Sequence, residues 1–368
     1  MSAALFQPIT LGDLELPNRI AVAPMCQYSA DDGSATDWHI QHWMNLAMSG
    51  AGMITVEMTN VERRGRISHG CLGLYSNANE ASARRALDAA RRVALPGTKF
   101  GPQLAHAGRK ASNRRPWEGG GGPLRLNEDP WPVVSASAIA YDKGWQTPHA
   151  LSEEEIWQLV EQFADAAKRA QRIGYDFIEL HGAHGYLIFQ FLSPLSNQRS
   201  DRWGGSLENR MRFAVEVVRA VRKAVSSLML GIRLSVTDWV EGGFTVDEAI
   251  EVAKMLKAEG VSYICCSSGG NSPAQKLPTG PLYQVHLAEA VRKGADIPVR
   301  AVGLITQPQQ AEEVIASGQA DIVALGRAFL ADPRWGWRAA AALGVEIAVA
   351  PQLQRAMTTM RHWAASSE

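Results

Sequence analysis

The sequence has little cysteine and no excess of charge of either sign. Four cysteines occur in 368 residues, and none of them belongs to a CxxC pair. This is too few for a disulfide-stapled scaffold and is typical of reduced thiols, so we expect a cytoplasmic protein. Lysine plus arginine and aspartate plus glutamate both total 37, so the net charge is zero. Nucleic-acid-binding proteins usually carry a basic excess or stripe, and this chain shows neither.

Long apolar runs and nucleotide-binding motifs are also missing. No stretch approaches the roughly 18 consecutive apolar residues of a membrane span. The first ten residues, MSAALFQPIT, lack a basic region followed by an apolar one, so secretion is not predicted. No GxGxxG follows a strand with a downstream acid, and there is no P-loop, which excludes a Rossmann site. We therefore expect small-molecule partners, with no nucleic acid and no membrane.

The sequence does contain a regular series of short buried strands. Near-continuous apolar runs rich in valine and isoleucine are what parallel strands covered on both faces show. The eight predicted strands are residues 20–25, 53–58, 99–106, 176–182, 228–236, 263–269, 299–304 and 321–327. Amphipathic helices are predicted between them, most clearly at 151–174, 206–225 and 245–260. The first and third open with the capping boxes Ser152-x-x-Glu155 and Thr245-x-x-Glu248.

This alternation predicts an α/β fold, a (β/α)8 TIM barrel. An open doubly wound sheet is the alternative. Residues 111–150 interrupt the alternation with glycine, proline and tryptophan, which indicates a long loop insertion after the third strand. Such a loop would lie at the mouth of the barrel or form a surface insertion. No repeat or linker is visible, so residues 1–368 are predicted to form a single domain, ending in a tail at 345–368.

A cluster of histidines and a tyrosine follows the fourth predicted strand. His181, His184 and Tyr186 lie within six residues, at the strand end where barrels of this kind place their chemistry. Two imidazoles at this spacing can donate hydrogen bonds to one substrate oxygen, and the phenol can donate a proton. They could also share a metal ion, although no third ligand is obvious. The remaining interpretation is two histidines satisfied by backbone carbonyls.

An arginine inside the fifth predicted strand is the second unusual feature. Arg233 interrupts an apolar run, and an unpaired buried charge is costly. It could bridge to a carboxylate such as Asp238 or Glu179, or it could face an anionic ligand inside the barrel. Gln103, at the end of the third strand, offers a donor and an acceptor that would suit the edge of a flavin ring.

Glycines and a cysteine stand at further strand ends. Gly303 and the pair Gly326-Arg327 end successive strands, where barrels often bind phosphate through backbone amides. Each glycine could also serve only a tight turn. Cys26 lies two residues before Tyr28 at the end of the first strand, and either packs as a small apolar residue or takes part in the site.

Taken together, the motifs resemble those of the Old Yellow Enzyme family, in particular its thermophilic-like class that includes bacterial xenobiotic reductases. The motifs that carry the resemblance are PMCQYS, QLAHAGRKA, ELHGAHGYL, FLSPLSNQRSDRWGGSLENR and DIVALGRAFL. They are long and specific, and the resemblance covers nearly the whole chain.

The resemblance implies an FMN-binding barrel. The implied flavin contacts are Ala23, Pro24, Met25, Cys26, Met58, Gln103, Arg233, Gly303, Gly326 and Arg327. Cys26 also counts among the catalytic residues, because it would tune the redox potential near the N5–O4 edge. Gln103 and Arg233 would bind the pyrimidine edge of the ring. The two glycines and Arg327 would hold the phosphate.

The resemblance also implies an ene-reductase reaction. NADPH reduces the flavin and leaves, and hydride then passes to Cβ of an activated alkene such as an enone, enal, maleimide or nitroalkene. His181 and His184 would bind the carbonyl or nitro oxygen, or that of a phenolic ligand, with a further hydrogen bond from Tyr28. Tyr186 would protonate Cα. A homodimer or homotetramer is implied, with Arg355 in PQLQRAM a candidate to reach a neighbouring active site.

Three other functions remain open at this point. One is an FMN barrel of the dienoyl-CoA reductase kind, with an iron–sulfur cluster and a second domain, against which the four scattered cysteines and the length argue. Another is a metal-dependent barrel lyase or hydrolase that uses His181 and His184. The last is a barrel that binds flavin without catalysis.

Overall fold

The computed structural model describes residues 3–365, and its centre is a closed parallel barrel. The strands are β1 (Ile20–Val22), β2 (Met53–Asn60), β3 (Lys99–Ala105), β4 (Phe177–Gly182), β5 (Met229–Ser235), β6 (Tyr263–Ser267), β7 (Val299–Val302) and β8 (Ile322–Leu325). Each strand pairs in parallel with the next, and β1 pairs with both β2 and β8, so the ring is complete. The predicted (β/α)8 barrel is confirmed, and the open sheet is excluded.

All eight predicted strands are present, although several end earlier than predicted. Strand β1 stops at Val22, short of the apolar residues 23–25, because Pro24 has no N–H to donate to a ladder. Strand β6 stops at Ser267, before Gly269, whose φ of 66° leaves the extended region. The apolar runs therefore continue past the strands into the loops that form the mouth.

Helices surround the barrel. They are α1 (Asp37–Ala47), α2 (Asn77–Arg91), α3 (Glu153–Ile173), α4 (Leu187–Leu192), α5 (Leu207–Ala224), α6 (Val246–Ala258), α7 (Val285–Ala295), α8 (Pro308–Ala316), α9 (Arg327–Ala331), α10 (Trp335–Ala342) and α11 (Ala356–Ala365). Both predicted capping boxes form: Ser152 and Glu155 hydrogen-bond reciprocally before α3, and Thr245 and Glu248 do so before α6. Within residues 3–365, no helix combines the length and apolar character needed to cross a membrane.

A hairpin closes the bottom of the barrel and leaves the mouth to the loops. The hairpin strands Ile9–Leu11 and Leu14–Leu16 pair in antiparallel fashion. Their residues Leu11 and Leu16 are buried against Met53, at the N-terminal end of β2. The apolar plug fills the lower barrel, so any ligand must enter from the C-terminal ends of the strands.

The segment 111–150 has little regular structure and contacts the mouth. Its regular elements are the short 3-10 turn Leu126–Glu128 and the two-residue strands Val134–Ser135 and His149–Ala150, which pair with each other. Arg115 Nε donates to the Tyr28 carbonyl over 3.0 Å, and the Trp117 ring meets the Tyr28 ring edge-on at 5.8 Å.

In the C-terminal tail, helix α11 packs against α10. The predicted tail, 345–368, includes residues 366–368, which lie outside the described part of the chain.

Candidate active site

A cavity of about 400 Å³ opens at the C-terminal ends of the strands. It brings together eight of the residues singled out from the sequence: Ala23, Pro24, Met25, His184, Arg233, Gly303, Gly326 and Arg327. Its lining contains two arginines and no aspartate or glutamate. A cavity with this charge favours an anionic ligand.

His181, His184 and Tyr186 form a tight cluster beside the cavity. The ring centroids of His181 and Tyr186 lie 4.8 Å apart, and those of His181 and His184 lie 5.1 Å apart, both edge to face. The turn after β4 holds His184 at a φ of 59°, and the Ser235 hydroxyl accepts its backbone N–H over 2.9 Å. Non-glycine residues rarely adopt this conformation, and such residues concentrate at functional sites.

Both histidines of the cluster are neutral hydrogen-bonding groups. Burial, followed by the nearby charge of Arg233, lowers the pKa of His181 and of His184 well below the usual value. The Nδ1 atom of His181 accepts the Ala183 N–H over 3.2 Å. The proton of the neutral His181 ring must therefore sit on Nε2, which makes that atom a donor. The Nε2 atom of His184 lies 2.7 Å from the Ser267 hydroxyl.

The phenol and the thiol near this cluster remain protonated. Burial raises the pKa of Tyr186 well above its usual value, and that of Cys26 likewise. Cys26, Tyr28 and Tyr186 pack on one apolar cluster that also contains the buried Met58. Tyr28 has a φ of 51°, and burial raises its pKa too. Two of the predicted substrate-binding residues, Tyr28 and Tyr186, thus share one apolar cluster.

Within residues 3–365, no carboxylate pairs with the guanidinium of Arg233. The side chain is 8% exposed, its Nε has no hydrogen-bond partner, and Nη2 reaches only the Ser267 hydroxyl, over 3.4 Å. The carboxylate bridge that the sequence left open does not form. Asp238 accepts from the Ser193 hydroxyl and the Phe244 N–H, while Glu179 pairs elsewhere in the barrel. Arg233 instead lines the cavity, where an anionic ligand would stabilise it.

The opposite side of the cavity has the character of a phosphate site. Gly303 has a φ of 134°, a conformation open to glycine and strained for other residues. A side chain there would approach Gln284 Nε2 within 2.9 Å. Gly326 and the exposed Arg327 follow β8 and line the same cavity. The backbone of Gly303 and Gly326 and the guanidinium of Arg327 therefore line the same cavity, and the lining contains no carboxylate.

Seven predicted residues lie outside the cavity lining: His181, Tyr186, Cys26 and Tyr28, described above, and Gln103, Met58 and Arg355. Gln103 is buried lower in the barrel, and its Nε2 donates to Glu179 over 2.9 Å. Met58 belongs to the apolar cluster just described. Arg355 is exposed and immediately precedes α11. A metal site is not supported by geometry, since residues 3–365 contain no group of three His, Cys, Asp or Glu side chains arranged to hold an ion.

Lys110 belongs to the site but was not singled out from the sequence. Its Nζ donates to the carbonyls of His184 and Gly270, over 2.9 and 2.7 Å, and lies 5.3 Å from the centre of the Tyr186 ring. Burial, with Arg109 nearby, lowers the pKa of Lys110 to about 7. Lys110 therefore joins the loops after β4 and β6 and holds the strained turn at His184. Its place in the motif QLAHAGRKA was the available signal.

FMN fits these residues. A ligand with an electron-accepting ring and a phosphate would satisfy the unpaired charge of Arg233 and the glycine-lined loops together, and FMN is such a ligand. The arrangement is thus that of a flavin-dependent oxidoreductase barrel.

Comparison with known proteins leads to the same class and narrows it. Residues 4–346 match the NADH:flavin oxidoreductase / NADH oxidase family. The chain is 40% identical over 357 residues to an NADPH dehydrogenase of Geobacillus sp. (strain WCH70). The aligned region covers 96% of this chain and 99% of that protein.

Among solved structures, morphinone reductase matches with a TM-score of 0.77 and 28% identity over 94% of this chain and 91% of its own. A 2-naphthoyl-CoA reductase complex matches with a TM-score of 0.80 and 28% identity over 90% of this chain, but this chain spans only 51% of that one.

The chain therefore belongs to the NADH:flavin oxidoreductase / NADH oxidase family, and the resemblance to Old Yellow Enzyme is confirmed. It is a flavin-dependent oxidoreductase, and the family implies FMN as its cofactor.

Proposed function

We propose that this enzyme reduces the C=C bond of activated alkenes: enones, enals, maleimides and nitroalkenes. The observation that supports this best is the cluster of His181, His184 and Tyr186, two neutral imidazoles and a protonated phenol within 6.4 Å of one another. Reduction of an activated alkene needs hydrogen-bond donors for one oxygen and one proton for carbon. FMN, when bound, supplies the hydride to Cβ.

The histidines act on the substrate oxygen. Because its pKa is low and its Nδ1 is occupied by the Ala183 N–H, His181 presents Nε2–H as a donor at neutral pH. His184, also neutral, adds a second ring at the same place, and the hydroxyl of Tyr28 completes the set. Donors aimed at an oxygen stabilise the negative charge that develops there during hydride addition.

Tyr186 supplies the proton to Cα. Its raised pKa keeps the phenol protonated at neutral pH, and its ring lies against His181, the residue that we propose to bind the oxygen. A group that holds a proton beside the reacting carbon is a general acid.

We also propose roles for the remaining residues of the cavity and its surroundings. The proposed flavin ligands are Ala23, Pro24, Met25, Cys26, Met58, Gln103, Arg233, Gly303, Gly326 and Arg327. Cys26, held as a thiol, tunes the flavin potential. The protein assembles as a homodimer or homotetramer in which the exposed Arg355 reaches a neighbouring mouth.

The visible spectrum tests the proposed function directly. The purified protein should be yellow, bleach under anaerobic NADPH, and regain its colour when 2-cyclohexenone is added. If the flavin re-oxidises no faster with the enone than without it, the proposed reduction of alkenes is wrong. The reduction of the flavin by NADPH would still stand.

A second prediction concerns the oxygen site. His181→Ala should weaken the binding of 4-hydroxybenzaldehyde, a phenol that perturbs the flavin spectrum, by about tenfold or more, since a donor to a charged oxygen is lost. FMN affinity should change by less than about threefold. The measurement is a spectral titration of the phenol and a fluorescence titration of FMN. An unchanged phenol affinity would exclude His181 from the oxygen site.

A further inference from the structure

A buried polar layer lies directly below the cavity. Along β4 and β5, residues two apart face the same side of the sheet, so Glu179 lies one layer below His181, and Gly231 one layer below Arg233. Gly231 has no side chain, and the Tyr263 ring fills the space, since a Cβ there would meet that ring at 2.0 Å.

Glu179 is the centre of this layer. Its Oε2 accepts the Tyr263 hydroxyl over 2.7 Å and pairs with the Arg300 guanidinium. Its Oε1 accepts Nε2 of Gln103 over 2.9 Å. Glu179 and Arg300 are both fully buried, and Arg300 also donates to the Thr55 hydroxyl over 2.8 Å. A buried ion pair of this kind persists only where further hydrogen bonds complete it.

The carboxylate fixes which way the amide of Gln103 points. The carboxylate accepts hydrogen bonds from Tyr263, Arg300 and Gln103, and Gln103 meets it with its NH2 group. The amide oxygen of Gln103 then points away from Glu179, and no donor among residues 3–365 binds it. Gln103 is thus held with its acceptor free, two residues before the end of β3.

We propose that Glu179 is a positioning residue. It holds the amide of Gln103 so that the amide oxygen, and not the NH2 group, faces the flavin. The pyrimidine edge of a flavin alternates acceptor, donor and acceptor, and a fixed amide oxygen is the partner of the N3–H donor. Arg300 contributes by pairing with the carboxylate of Glu179, which fixes the position of that carboxylate. This inference rests on the proposed role of Gln103 as a flavin ligand.

A double-mutant cycle on FMN affinity tests the proposal. Gln103→Ala and Glu179→Gln should each raise the FMN dissociation constant by about tenfold, because each removes one oriented hydrogen bond. In the Gln103→Ala background, Glu179→Gln should have almost no further effect, since Glu179 acts through Gln103. Fluorescence of released FMN gives the dissociation constants, and thermal unfolding of each flavin-free variant gives its stability.

The other outcomes are distinguishable. If Gln103→Ala leaves the dissociation constant unchanged, Gln103 is not a flavin ligand and the earlier proposal fails at that residue. If Gln103→Ala weakens FMN but Glu179→Gln does not, or if the two effects multiply, Glu179 has only a structural role and the inference is wrong.

One further variant is a control, and a double variant replaces Glu179→Gln if that variant does not fold. Tyr263→Phe removes one hydrogen bond from Oε2 and leaves the bond to Gln103, so FMN affinity should stay within about twofold. If Glu179→Gln alone does not fold because Arg300 is left unpaired, Glu179→Gln with Arg300→Met removes both charges. The combined variant should show the same weakening of FMN and the same dependence on Gln103; strong FMN binding by it would contradict the proposal.

Discussion

Tyr186→Phe should slow alkene reduction by about 100-fold or more while NADPH reduces the flavin at nearly the normal rate. A positioned general acid contributes about 10²–10⁴ to a rate, and Tyr186 is the protonated phenol packed on His181. Phenylalanine keeps the ring and its contacts and removes only the hydroxyl group that carries the proton. Anaerobic stopped-flow measurement of the two half-reactions, with NADPH and then with 2-cyclohexenone, separates the effects.

The matched control is Tyr175→Phe. Tyr175 is also a buried tyrosine with a raised pKa, but it packs in the outer apolar core away from the mouth. It should leave both half-reactions unchanged. Equal losses in both half-reactions of Tyr186→Phe would instead assign Tyr186 a structural role.

The acid role also predicts a pH dependence. Burial raises the folded pKa of Tyr186, so its phenol stays protonated beyond its usual value of about 10. The rate of wild-type alkene reduction should therefore show no fall from loss of this proton between about pH 6 and about pH 9. The oxidative half-reaction measured across that range checks this.

The fold was predictable because its signals are local. Apolar runs identified all eight strands, and capping boxes gave the starts of α3 and α6. The strand ends were less accurate, since the apolar run beyond Val22 belongs to the mouth and not to β1. Hydropathy records burial, and the residues that continue this run into the mouth are buried or half-buried as well.

The site was predictable where residues follow strand ends in short motifs. His181, His184 and Tyr186 are neighbours in sequence, and the structure brings their rings together. Contacts between distant residues were not visible. Lys110 binds carbonyls 74 and 160 positions away, and Glu179, considered as a partner of Arg233, pairs with Arg300. A charged residue in a buried strand predicts that a partner exists, but its identity depends on the closed ring of strands.

Arg233→Met should abolish most flavin binding and, in the flavin-free protein, raise stability. Charge-assisted hydrogen bonds from arginine are worth about 1.5–3 kcal/mol each, so we expect the FMN dissociation constant to rise by about 100-fold. The guanidinium is almost fully buried, and its Nε lacks a partner. Replacing a buried charge without a counter-ion by an apolar side chain of similar length should stabilise the empty barrel by about 1–2 kcal/mol.

Arg327→Met is the matched control for this prediction. Arg327 lines the same cavity but is exposed, so water solvates its charge and its removal should weaken FMN without stabilising the flavin-free protein. Urea unfolding of the flavin-free variants and FMN titration of each supply both quantities. If Arg233→Met were instead less stable than the wild type, the charge of Arg233 would be stabilised by the flavin-free protein itself. Flavin binding would then not explain why β5 contains a buried arginine. A buried charge that serves a ligand lowers the stability of the protein until that ligand is bound.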